Sequence, residues 1–90
     1  MNTDDSMVLG VWAALRDAFA PLWVMREPPA EGSPHRARFE ISGPGWTHHH
    51  AIYLTRDGRL TYAIERELQL DDPACFEKVA SDVKANIDAM

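Results

Sequence analysis

The chain has 90 residues, a net charge of −5 and 46% apolar side chains, which fits one small globular domain and neither a disordered nor a fibrous chain. The acidic balance argues against binding a phosphate backbone with the whole surface. A single cysteine, Cys75, excludes an intrachain disulfide and any zinc site built mainly on thiolates, and a lone thiol suits a reducing, cytoplasmic compartment. Charge is unevenly spread: residues 1–34 sum to −3, residues 35–66 to +2 and residues 67–90 to −4.

The first predicted element is a helix over about 5–20. Asp4, Asp5 and Ser6 supply N-cap oxygens and favourable charge at its start. Val8, Trp12, Leu15 and Phe19 recur on one helical face, and Pro21 stops the helix near Ala20. The apolar stretch MVLGVWAALRDAFAPLWVM follows two aspartates and is broken by Arg16, Asp17 and Pro21. It therefore reads neither as a secretory signal nor as a membrane span. LWVM (22–25) is too short for periodicity to decide between a strand and packed irregular chain. EPPAEGSPH (27–35) is a loop, because its prolines and glycine forbid regular structure.

RARFEIS (36–42) alternates, with Ala37, Phe39 and Ile41 on one face and Arg36, Arg38 and Glu40 on the other, as a half-buried antiparallel strand should. GPGW (43–46) is a turn. Strands follow over 48–55 and 59–66. Their connection could be a two-residue Asp-Gly turn, but that register splits the large apolar residues between faces. A three-residue loop, Arg56-Asp57-Gly58, pairs 54 with 60, 52 with 62 and 50 with 64, and puts them all on one face; the buried face sets register. The last element is a helix over about 73–88, capped by Asp71 or Asp72 with Pro73 at its first position. Its apolar stripe is Phe76, Val79, Ala80, Val83 and Ile87. The expected fold is a two-layer α+β domain: an antiparallel three- to four-stranded meander with an N-terminal and a C-terminal helix packed on one face.

Three consecutive histidines, His48, His49 and His50, invite a metal or catalytic reading. Strand alternation divides them. His48 and His50 face the core side at the strand end, and His49 faces outward opposite Glu65. An H-x-H pair can hold zinc but needs further ligands, and the candidates His35, Glu67 and Cys75 stand at no diagnostic spacing. The expectation is therefore hydrogen-bonded rings capping the core edge, with no cofactor; zinc on His48 and His50 is the alternative. Nor does any nucleophile motif, phosphate loop or H-E-x-x-H signature suggest an enzyme. Cys75 reads as a small apolar residue in the first turn of the last helix.

Two surfaces remain for partners. One is the outer sheet face, which no helix is left to cover, carrying Arg36, Arg38, His49, Tyr53, Arg59 and Glu65; arginine and tyrosine are interface-enriched. The other is the acidic side of the last helix, with Asp71, Asp72, Glu77, Asp82 and Asp88, suited to a basic partner such as a nucleic-acid-binding enzyme. Trp23 and Trp46 sit beside prolines, either as a lid on the core, the favoured reading, or as exposed anchors. A weak single-stranded nucleic-acid binder on this basic face is a further alternative, although such a platform wants several exposed aromatics along a basic groove and the sheet offers only Tyr53. The functional expectation is a small cytoplasmic protein-interaction module, an inhibitor, immunity factor or adaptor of bacterial or phage type. A second copy of the chain is one candidate partner.

Overall fold

The computed structural model describes residues 6–28, 31–47, 49–62 and 66–89. Helix α1 (Ser6–Phe19) is followed by strands β1 (Trp23–Glu27), β2 (His35–Ser42), β3 (His50–Thr55), β4 (Arg59–Tyr62) and β5 (Arg66–Gln69), and by helix α2 (Cys75–Asp88). The strands form one antiparallel sheet in the order β1-β2-β3-β4-β5, so each pairs with its neighbour in sequence. Helix α1 packs on β1 and β2, α2 packs on β4 and β5, and the two helices touch each other. This is the expected two-layer α+β arrangement, with five strands in place of three or four.

The two extra strands have different origins. Residues 23–27 join the sheet as β1, paired Val24 with Ile41 and Glu27 with Arg38. Residues 59–66, read from sequence as one strand, instead hold all of β4 and the first residue of β5, with Tyr62 paired to Arg66 and Leu60 to Leu68. The intervening residues 63–65 contain no glycine, proline, asparagine or aspartate, the residues that mark turns. The expected pairing of residue 50 with 64 falls outside the described residues.

The β3–β4 hairpin has the expected register. Leu54 pairs with Leu60, Tyr53 with Thr61 and Ile52 with Tyr62. Gly58 adopts φ 87, the left-handed conformation that glycine takes without steric cost. The loop closes through Gly58 N–H to the Thr55 carbonyl at 3.3 Å and Arg59 N–H to Thr55 Oγ1 at 2.8 Å.

The core lies between sheet and helices. Phe39, Ile41, Ile52, Leu54 and Leu60 are fully buried from the sheet, and Leu15, Phe19, Val79 and Val83 from the helices. Each such side chain contributes about 1.5–3 kcal/mol of burial. Val11 takes a place in the α1 stripe, while Trp12 lies at its half-buried rim. Its indole N–H donates to the Val24 carbonyl of β1 at 2.9 Å, and the guanidiniums of Arg16 and Arg26 lie over its ring.

Helix α2 begins at Cys75, two residues later than expected. Asp72 caps the turn before it: its Oδ1 accepts the Ala74 N–H at 2.9 Å, and its carbonyl accepts the Cys75 N–H at 2.9 Å. Pro73 sits in that turn and not at the first helical position. No helix of the described residues is long and apolar enough to cross a membrane.

Candidate docking face

Both helices cover the same side of the sheet, so the other side has no cover from this chain among the described residues. Register fixes what it presents. Val24 and Ile41 point to the core together, which turns Trp23, Met25 and Glu27 outward on β1. Glu27, Arg38, Tyr53, Thr61 and Glu67 then form one continuous rung across all five strands. The next rung places Met25 beside Glu40 and Glu40 beside Ala51.

Arg38 is the hub of the first rung. It pairs with Glu27 and, at 2.8 Å, with Glu40; its Nε donates to the Tyr53 hydroxyl at 3.4 Å, and its guanidinium lies 5.8 Å from the Tyr53 ring centre. The Tyr53 hydrogen bond, joined by these carboxylates, holds the guanidinium still more firmly in its charged form against the cost of burial. Burial alone would raise the Glu40 carboxyl. The hydrogen bond from Arg38 outweighs it, with weaker charge attraction from the same guanidinium, so Glu40 lies below the usual carboxylate range. Glu40 is thus an acceptor, not a proton donor, at neutral pH. Arg59 repeats the pattern: it pairs with Glu67 at 2.7 Å and with Asp57 at 3.3 Å.

Arg36 departs from its expected place. The strand is irregular between His35 and Ala37, and Arg36 Nη1 reaches Met7 Sδ on α1 at 2.8 Å. The same irregularity brings His35 onto the outer face, its ring centre 4.5 Å from that of Tyr53. His35, His49, Ala51, Tyr53 and Thr61 contribute to a shallow basin of about 630 Å³, which continues to His50 and Tyr62.

The histidine run is divided by the fold. His50 is half-buried, with Nδ1 3.0 Å from the Tyr62 hydroxyl and its ring edge-on to Trp46. Asn86 Nδ2 donates to the same hydroxyl at 2.7 Å. Tyr62 therefore accepts from Asn86, and the direction of its contact with His50 Nδ1 follows the histidine tautomer. His49 is exposed. His48 and Glu65 lie outside the described residues. The other zinc candidates point to separate places: His35 stacks on Tyr53, Glu67 pairs with Arg59, and Cys75 is buried at the start of α2 with its thiol 3.9 Å from the Leu68 carbonyl. Burial, with the nearby Asp72 charge, pushes that thiol's pKa up.

The tryptophans also separate. Trp46 packs against the core and folds over Gly43. Trp23, expected to favour the core, is 57% exposed, and Met25 beside it is 42% exposed. These two are the apolar residues that reading the sequence as loop-like context passed over; the alternation of Trp23, Met25 and Glu27 against Val24 is the signal that marks them.

The acidic residues of the second expected surface do not form one patch. Asp72 pairs with Lys78 at 3.5 Å. Glu77 and Asp88 share a helical face and line a groove with Ala18 of α1, whereas Asp82 lies well around the helix from them. Asp71 precedes the helix in an exposed turn. No family model, no curated protein and no solved structure matches this chain.

Proposed function

We propose that the chain is a protein-interaction module that docks a larger protein through the outer face of its sheet, acting as a cytoplasmic inhibitor, immunity factor or adaptor. The observation that carries this reading is the exposure of Trp23 and Met25, side by side on an edge strand, next to Arg38 and Tyr53. Tryptophan, methionine, arginine and tyrosine are the residue types enriched at interface centres. A monomer of this size gains nothing in stability by holding a tryptophan in water. Apolar side chains grouped on an uncovered face mark interaction sites more often than scattered ones do.

The test is affinity capture from the source cells with the wild-type chain and two paired variants. Trp23→Ala with Met25→Ala should abolish capture and leave the circular dichroism spectrum and melting temperature in place. Glu77→Lys with Asp88→Lys should leave capture intact. The reverse result would move docking to the helix side. Light scattering on the pure chain reads whether a second copy occupies the face.

A further inference from the structure

We propose that the occupant of the outer sheet face is a cationic protein segment, with arginine or lysine side chains set against Glu27, Asp57 and Glu67 and an apolar stem packed on Trp23 and Met25. The inference rests on the docking role proposed above and names its partner's chemistry.

The strands that form this face read as basic in sequence, and folding inverts that character. Arg36 turns away to Met7. Of the described outward arginines on β2 and β4, Arg38 sits between Glu27 and Glu40 and Arg59 between Asp57 and Glu67. Among these described residues four carboxylates meet two guanidiniums, a surplus of two negative charges.

Three of the four carboxylates also stand farther out than the arginines, Glu40 being the inner one at 15% exposed. The Glu27 side chain is 41% exposed and that of Arg38 32%; Glu67 is 47% and Asp57 66% exposed against 34% for Arg59. An approaching molecule therefore meets oxygen before it meets nitrogen. Each carboxylate can accept several hydrogen bonds, and the arginine contacts leave part of that capacity facing solvent. A nucleic acid would find the guanidiniums already neutralised and the outermost groups repulsive. A second copy would bring the same negative surplus against itself, and like charges across an interface are strongly unfavourable. A cationic segment meets neither objection. Its guanidinium groups can also lie on the exposed Trp23 ring, the aromatic best suited to that contact.

The test is a titration of the isotopically labelled chain, followed by amide and indole NMR signals, with a short alternating Arg-Leu peptide as the probe. Its Glu-Leu counterpart and oligothymidylate serve as controls. The Arg-Leu peptide should shift the Trp23 indole signal and the amides of Glu27, Tyr53 and Glu67, with affinity that weakens as salt rises. Glu27→Gln with Glu67→Gln should reduce affinity roughly fivefold, the scale of two rim charge contacts. Trp23→Ala should reduce it further, and neither change should move the melting temperature appreciably. The proposal is overturned if the Arg-Leu peptide leaves the Trp23 indole unmoved, if its shifts map to α2, or if the Glu-Leu peptide or oligothymidylate binds this face as well. Should the peptide fail while the Trp23 and Met25 variant still loses its captured partner, the docking role stands and only the cationic chemistry falls.

Discussion

A methyl group added at Gly43 would lie 2.6 Å from the Trp46 indole. The backbone N–H of Trp46 donates to the Gly43 carbonyl at 3.1 Å, and its ring is packed against the core, so it has little room to swing away. Gly43→Ala should therefore destabilise the fold by about 1–3 kcal/mol, as overpacking does, and shift the tryptophan emission; urea denaturation monitored by fluorescence reads both. Tyr62→Phe removes an oxygen that serves Asn86 and His50 together. Its expected cost is about 0.5–1.5 kcal/mol, that of a hydrogen bond whose partners are half-buried or exposed. A variant as stable as wild type would show that the Asn86–Tyr62–His50 chain contributes nothing. Cys75 is fully buried with its ionisation suppressed, so a thiol reagent should label it only after denaturant is added.

At the scale of elements, Trp12 ties α1 to the edge strand. Trp12→Phe keeps the ring under Arg16 and Arg26 but removes the indole N–H to Val24. We expect a loss of about 0.5–1.5 kcal/mol, that of one hydrogen bond, and faster amide hydrogen exchange in β1 than in β3. How far each element is legible in the sequence follows from its pattern. The β3–β4 hairpin is readable because Ile52, Leu54, Leu60 and Tyr62 leave one register that buries them all. Strand β1 is not, because Arg26 occupies an inward position and finds its partner on Trp12, breaking apolar alternation at the point where a longer run would have declared a strand. The boundary between β4 and β5 is not readable either, because residues 63–65 contain none of the residue types that mark a turn. The outer face shows the same division. Arg38 and Tyr53 are legible as outward residues; their carboxylate partners Glu27 and Glu67 come from strands that the sequence does not announce, so the sign of the face cannot be read before folding.

For the whole molecule, pH acts from both ends. Glu40, Asp57 and Asp72 all titrate below their ordinary values in the folded chain, Glu40 against burial through Arg38, Asp57 chiefly through Thr55 and Asp72 chiefly through the Ala74 N–H. A carboxyl depressed by folding stabilises above its unfolded pKa, about 4 for these residues, and that stability is lost as pH falls through the folded value. Melting temperature should accordingly drop below about pH 4, and Arg38→Met should move that drop to higher pH by freeing Glu40. Cys75 works in the opposite direction: its folded pKa is raised, so its contribution is present at neutral pH and is lost as pH rises past the unfolded thiol value, about 8.5. Cys75→Ala should flatten that alkaline decline in a pH-resolved thermal scan.

The order β1-β2-β3-β4-β5 means that every strand pairing joins segments adjacent in the chain. The two helices, from opposite ends of the sequence, meet only over the finished sheet. Loop closure is therefore inexpensive for the sheet and costly only for the helix–helix contact. The sheet can assemble as a zipper while its helical roof is completed last. Substitutions at Phe39 and Leu54 should slow folding itself, whereas Val83→Ala in α2 should leave the folding rate nearly unchanged and speed unfolding, a contrast that stopped-flow kinetics would resolve.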